Sequence, residues 1–269
     1  MNKAFLKWAG GKSQLLEKLT SLMPPVNSKG RYIEPFVGSG VIALNMPHSE
    51  IIVGDVNPGL IGCWTGLQER SVYFIDTCRA MFNPAHNTPE VFYDYRKRFN
   101  ENPYKMGATF LYLNRHCFNG LCRFNSKGEF NVPFGKYSSP YFPEAELRHA
   151  LEVTKRMTIW CTGFMDLMSM SRKGDVIYCD PPYLPINATS NFTAYSKGGF
   201  SMVEQENLAR AARECSKKGA TVIISNNDVP LAWELYKGAE MHVVEVAKKI
   251  SCKGDGRKKL NEVIAVFRP

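Results

Sequence analysis

Apolar positions along the 269-residue chain fall into two rhythms, short unbroken runs and stripes repeating every three to four residues. Leu15, Leu16, Leu19 and Leu22 form such a stripe over 14–23, and Pro24-Pro25 stops it. Residues 31–36 read as a strand, followed by the turn Val37-Gly38-Ser39-Gly40 and a short helix through Leu44. A second strand over 51–54 runs into Asp55-Val56-Asn57-Pro58. Strand, glycine turn, helix, strand and acid make the first half of a nucleotide-binding α/β unit.

The rhythm changes near residue 60. Helical patterns fill most of 60–114, with a Pro-rich break around 83–89. An aromatic and basic stretch over 115–123 comes next, then a hairpin-like segment over 124–134. These predict a mostly helical module inserted at 58–143, with a β-hairpin near 124–137. The α/β alternation then resumes, with a helix over 144–155, a strand over 157–160 and a central strand over 176–179. A helix over 205–217 and a strand over 221–225 follow. Two closing antiparallel strands, 242–247 and 262–267, are joined by a basic loop over 248–259. The expected fold class is α/β, with the main domain made of 1–57 and 144–269.

Composition narrows the function classes. At 44% hydrophobic and 22% charged residues the chain is ordinary for a globular protein. No apolar run approaches the roughly 20 residues that a membrane span needs. No secretory apolar segment follows Met1, so a cytoplasmic location is expected. The formal charge of +9 points to a polyanionic partner. Eight cysteines without a CxxC pair read as reduced, buried thiols, and no metal site is expected.

The densest chemistry is Asp180-Pro181-Pro182-Tyr183, directly after the apolar run Asp175-Val176-Ile177-Tyr178-Cys179. Two prolines fix φ and remove two backbone donors, so only acceptors face a pocket there. The Asp180 carboxylate and the Pro181 carbonyl can accept both protons of a flat exocyclic amine, and Tyr183 can stack on its ring. An adenine N6 lone pair is delocalised and weakly nucleophilic. Accepting its protons favours a tetrahedral nitrogen that can attack a sulfonium methyl. Upstream, the turn Phe36-Val37-Gly38-Ser39-Gly40 lets a ligand approach the backbone, and Asp55 is placed to accept from a ribose diol. A reduced glycine motif plus an acid fits an adenosine ligand without a pyrophosphate, namely S-adenosylmethionine. Gly10-Gly11-Lys12-Ser13 fails as a phosphate loop, because Leu6 stands where that pattern needs glycine. Lys12 can instead pair with the cofactor carboxylate, and Trp8 can pack on its apolar part. A base within a duplex reaches such a pocket only when extruded. The stretch from Asn114 to Asn125 offers arginine to read guanine and an aromatic to wedge into the gap.

With these motifs placed, the chain closely resembles the Dam-type DNA adenine-N6 methyltransferases over nearly its whole length. The resemblance rests on 5–12, Glu34-Pro35-Phe36-Val37-Gly38, Asp55, Leu111-Tyr112-Leu113-Asn114-Arg115 and Phe118-Asn119-Gly120-Leu121-Cys122-Arg123. It continues through 128–135, 140–147, 180–183 and Asn191-Phe192-Thr193-Ala194-Tyr195. It implies a Rossmann-like class I methyltransferase domain with an inserted target-recognition domain, using S-adenosylmethionine to methylate adenine in GATC of double-stranded DNA. The enzyme is then expected to act as a monomer on bacterial or phage DNA. The resemblance assigns Trp8, Lys12, Phe36, Gly38, Gly40, Asp55, Phe164 and Asp180 to the cofactor. It assigns Lys7, Arg96, Asn119, Leu121, Arg123, Pro133, Lys136 and Tyr137 to DNA, with Phe118 as the intercalating aromatic. Phe118 stands where the best-known members carry Tyr, which keeps stacking and loses a hydroxyl. Lys136 replaces an arginine of some relatives, a point charge in place of a fork.

Two rival readings remain open at this level. One is methylation of another amine, cytosine N4 or a protein glutamine, where Ser or Asn often takes the place of Asp180. The other is a DNA-binding regulator that has lost transfer, which the intact 180–183 and Asp55 disfavour.

Overall fold

The computed structural model describes residues 1–26, 29–186, 200–247 and 259–269. The stretch 191–195 and the basic loop, up to its last residue, lie outside the described residues. In chain order the elements are α1 (Leu16–Leu22), β1 (Tyr32–Glu34), β2 (Ile51–Asp55), α2 (Pro58–Ala80), α3 (Pro89–Glu101), α4 (Gly107–His116) and α5 (Glu144–Thr154). They continue as β3 (Met157–Cys161), α6 (Phe164–Ser169), β4 (Val176–Cys179), α7 (Met202–Lys217), β5 (Thr221–Asn227), α8 (Pro230–Leu235), β6 (Glu240–Ala247) and β7 (Lys259–Phe267). The seven strands belong to one mostly parallel sheet, which gives the α/β class expected from the sequence. Residue contacts divide the chain into two compact units, 1–13 with 37–163, and 14–36 with 164–269.

In the second unit the strand order is β1-β4-β5-β7-β6. β1, β4 and β5 are buried along their whole length, as parallel strands covered on both faces must be. Their apolar runs are therefore continuous rather than alternating. A buried ion pair sets the first register. Asp175 accepts from the Arg31 backbone N–H at 3.0 Å and from the guanidinium at 2.7 Å, while Val176 N–H donates to the Arg31 carbonyl. That brings Tyr32 beside Val176. α7 starts three residues earlier than its hydrophobic stripe, because Ser201 and Glu204 form a capping box. α6 and α8 were not expected, since six residues are too few to display a helical period. β5 runs past Ser225 into Asn226 and Asn227, both buried.

In the first unit β2 pairs with β3 in parallel, Ile51 opposite Met157. Asn57 caps α2 by accepting from Gly59 and Leu60, and Thr88 caps α3. Ser71, at φ 51°, interrupts α2. α4 is buried along nearly its whole length, and Tyr112, Asn114, Arg115 and the Nδ1 of His116 are hydrogen-bonded there. The predicted hairpin is reduced to single bridges, Phe124 with Phe130 and Cys117 with Phe134. Asn125 holds its turn by accepting from Lys127 and Glu129, while Pro133 cannot donate to a ladder.

His116 is the acid-sensitive point of this unit. Its ring stacks on Tyr112 with centroids 3.9 Å apart, and its Nδ1 lies 2.8 Å from the Tyr112 carbonyl, so Nδ1 carries the proton and donates it. Burial pushes its pKa down to about 4, below the ordinary value of about 6.5. Between those values the unfolded chain binds more protons, so stability falls as pH drops through the window. Urea unfolding is expected to lose about 2 kcal/mol from this group between pH 7 and pH 5. His116→Phe should flatten that part of the profile.

Candidate active site

The candidate residues are divided between the two units. In the first, the glycine turn is tied to β2, with Val37 N–H donating to the Gly54 carbonyl at 2.9 Å. Gly38 sits at φ +47°, and a Cβ there would meet Trp8 Nε1 at 2.7 Å. The indole of Trp8 thus lies directly on the turn. Gly38 N–H and Asn57 N–H donate to the two Asp55 carboxylate oxygens at 3.3 and 3.0 Å. Burial raises the Asp55 pKa, and these backbone bonds pull it partly back. Gly40, at φ +67°, backs onto the Trp64 ring, whose Nε1 donates to the Gly38 carbonyl. Lys12 is buried, and its ammonium donates to the Gly10 carbonyl at 2.9 Å. Trp8, Gly38, Gly40 and Asp55 are therefore one cluster, and Lys12 is held beside the 10–11 glycines.

The same unit carries all nine candidate DNA positions. Asn114 pairs reciprocally with the Lys7 backbone, Oδ1 accepting at 2.9 Å and Nδ2 donating at 2.7 Å. The Arg115 guanidinium donates to the Phe5 carbonyl. Segment 5–7 is so fastened to α4, and these two residues serve as scaffold rather than as exposed DNA readers. Lys7 Nζ lies 4.6 Å from the centre of the Tyr137 ring, and burial with the Arg115 charge lowers its pKa. Asn119 and Gly120 take φ 55° and 65° in succession, a reversal that leaves Phe118 50% exposed. Phe118 N–H donates to the Pro133 carbonyl, and Gly135 N–H to that of His116. Leu121 is half-buried, whereas Asn119, Pro133 and Lys136 are exposed. Arg123 is exposed and its Nε donates to Asn131 at 2.8 Å. Arg96 donates to the Val132 carbonyl at 3.1 Å and lies over Tyr93.

In the second unit Phe36 stacks on Phe164 at 5.4 Å, and Phe200 closes the cluster edge-on, 5.6 and 5.5 Å from the two. Phe200 was missed, because a lone aromatic beside Gly198-Gly199 carries no pattern. Asp180 follows β4, and its charge adds to burial in raising the pKa values of Tyr178, Cys179 and Tyr183. The Tyr183 hydroxyl donates to Glu262 at 2.9 Å, and the Pro182 carbonyl accepts from Gln205 at 2.8 Å. Among the described residues no donor reaches the Pro181 carbonyl. Gln205, Asn226, Asn227 and Glu262 also escaped sequence reasoning. The signal for two of them was the Asn-Asn pair closing an otherwise apolar strand.

Among the described residues no group of three or more His, Cys, Asp or Glu could hold a metal ion, and no helix is long and apolar enough to cross a membrane. The donor set suits S-adenosylmethionine. The first unit offers a glycine turn packed against the Trp8 and Trp64 rings and a buried carboxylate, and the second offers an aromatic cluster.

An α/β fold with acids at the ends of β2 and after β4 fits a methyltransferase that acts on an amino group. The chain belongs to the D12 class of N6 adenine-specific DNA methyltransferases, whose family model matches residues 8–250. It is 44% identical over 271 residues to the DNA adenine methylase of Salmonella typhi, covering 100% of this chain and 96% of that one. The DNA adenine methylase of Escherichia coli K12 is 43% identical with the same coverage. A solved structure, precorrin 8w decarboxylase of Methanobacterium thermoautotrophicum, aligns over 100% of this chain and 96% of its own, with TM-score 0.39 and 9% identity. The protein is an S-adenosylmethionine-dependent DNA adenine-N6 methyltransferase.

Gly120 tests the Lys7 arrangement. A Cβ there would stand 2.2 Å from Lys7 Cδ and 2.9 Å from its Cβ, at φ +65°. Gly120→Ala should cost about 1–2 kcal/mol in urea unfolding. It should also weaken duplex binding at least severalfold while cofactor affinity holds, as titration of each ligand would show.

Proposed function

We propose that this enzyme methylates the adenine of GATC in duplex DNA after that base leaves the stack. In this reading 58–143 recognises the site, and 180–183 carries out the transfer. The observation that carries it is the state of the acceptors after β4. Gln205 engages the Pro182 carbonyl and Glu262 the Tyr183 hydroxyl, and these bonds hold the turn whose Asp180 carboxylate and Pro181 carbonyl are, in this reading, the acceptors for a substrate amine.

S-adenosylmethionine supplies an activated methyl group on a sulfonium. Trp8, the Gly38 turn, Gly40 and Asp55 would hold the adenosine part, with Phe36 and Phe164 against its adenine and Lys12 toward its carboxylate. Asp180 and Pro181 accept hydrogen bonds from the two N6 hydrogens of the target adenine, which frees its lone pair for attack. Asp180 then takes the proton that the nitrogen sheds. Tyr183, fixed through its hydroxyl, offers a face for the target ring. Alignment of nitrogen with methyl and sulfur supplies much of the rest of the rate.

Recognition falls to the other unit. Phe118 is the exposed ring that fills the gap left by the extruded base. Arg123, with Nε engaged by Asn131, presents its terminal nitrogens to the two acceptors of a guanine edge. Lys7 reaches bases as a held point charge. Asn119, Leu121, Pro133, Lys136, Tyr137 and Arg96 complete the face, Arg96 chiefly by supporting the 132 carbonyl.

Labelled cofactor should mark GATC duplexes and leave scrambled ones blank. Label on both alike, or on neither, would refute the site assignment. Asp180→Ala should abolish turnover and keep duplex affinity within about threefold, read by single-turnover kinetics and by a shift assay. Arg123→Ala should lose about 1–3 kcal/mol of discrimination between GATC and duplexes with one guanine replaced.

A further inference from the structure

Three buried side-chain amides converge on the chain just past the acceptor pair. Gln205, from α7, donates from Nε2 to the Pro182 carbonyl at 2.8 Å. Asn226, from β5, accepts the Leu184 N–H at Oδ1, 2.8 Å away. Asn227 donates from Nδ2 to the Leu184 carbonyl at 2.5 Å. Gln205 and Asn226 are fully buried and Asn227 nearly so.

The Gln205 and Asn226 amides are themselves locked. Asn226 Oδ1 also accepts the Asn227 N–H at 2.9 Å, while its Nδ2 donates to the Tyr236 hydroxyl at 2.9 Å and toward Gln205 Oε1 at 3.4 Å. The Tyr236 hydroxyl donates onward to Gln205 Oε1 at 3.5 Å. Flipping either amide would set donor against donor at Leu184 or acceptor against acceptor at Pro182, so one orientation is selected.

Proline rings fix φ at 181 and 182, and peptide bonds are planar, which leaves ψ as the soft rotation. The direction of the Pro182 carbonyl reports its ψ, and Gln205 fixes that direction. The two bonds to Leu184 fix the exit of the turn. A displacement of about 1 Å in an aligned transfer can cost about a hundredfold in rate. We infer that Gln205, Asn226 and Asn227 are positioning residues for methyl transfer, setting the spacing of the Asp180 and Pro181 acceptors without touching substrate. This inference rests on the assignment of transfer to 180–183.

The test compares Gln205→Met, which removes the whole amide, with Gln205→Glu, which keeps an acceptor for Tyr236 and loses the donor to Pro182. Single-turnover methylation of GATC duplex is measured at saturating cofactor, with duplex and cofactor affinities and the urea midpoint measured alongside. Both variants should lose tenfold or more in transfer rate, the Glu variant more than the Met one, with both affinities within about threefold of the parent. Asn227→Ala, which releases the Leu184 carbonyl, should behave like Gln205→Met. Parental rates in the folded variants, or rate losses matched by equal losses of affinity, would overturn the inference. If Gln205→Met does not fold, the Glu and Asn227→Ala variants decide in the same way. An active Asp180→Ala control would instead overturn the assignment of transfer to 180–183, an outcome distinct from unaltered Gln205 variants.

Discussion

A turn made of two successive prolines is rich in carbonyl oxygens and poor in the N–H groups that could anchor it. Everything placed after β4 depends on that shortage. Backbone donors are missing at 181 and 182, so fixation has to come from side chains on other elements. Here α7 contributes Gln205, β5 contributes Asn226 and Asn227, and β7 contributes Glu262. The result is a turn whose Pro182 carbonyl and Tyr183 hydroxyl are both held by side chains from other elements. A buried amide is tolerated in the protein interior when its bonds are made, and Gln205 and Asn226 are each bonded at both ends.

The first unit solves a related problem with opposite means. Its proposed reading face is carried on loops, and those loops are tied down by side chains from neighbouring elements. Asn114 mimics a strand partner for Lys7, Arg115 holds the Phe5 carbonyl, and Asn131 takes one edge of Arg123. Two left-handed residues in a row, Asn119 and Gly120, turn the chain sharply enough to expose Phe118. Charge is thereby presented from a restrained framework, which limits the entropy lost when DNA is engaged.

Much of this was legible in the sequence, because parallel strands buried on both faces announce themselves as apolar runs. The strands at 51–54 and 176–179 are seen that way, as are the leucine stripe of α1 and the closing pair β6 and β7. That Asp55 closes one strand and Asp180 follows another was legible because the apolar runs before them are unbroken. Other parts were silent for physical reasons. α6 and α8 are shorter than two helical turns, and α7 begins at a cap before its stripe. The 124–134 segment has the alternation and turn of a hairpin, but Pro133 and the lack of a continuing partner confine it to isolated bridges. Asn114, Gln205 and Asn226 look like ordinary polar residues in a linear chain. Their importance exists only in three dimensions, where a distant backbone needs what they supply.

The position of β7 has a consequence for how the protein is made. It lies between β5 and β6 although it follows both in the chain, so β6 waits at the ribosome without a neighbour until a later segment threads in beside it. Glu262, the anchor of Tyr183, arrives on that same late strand. A nascent chain that has emerged through β6 therefore possesses its acceptor pair but not the brace beside it.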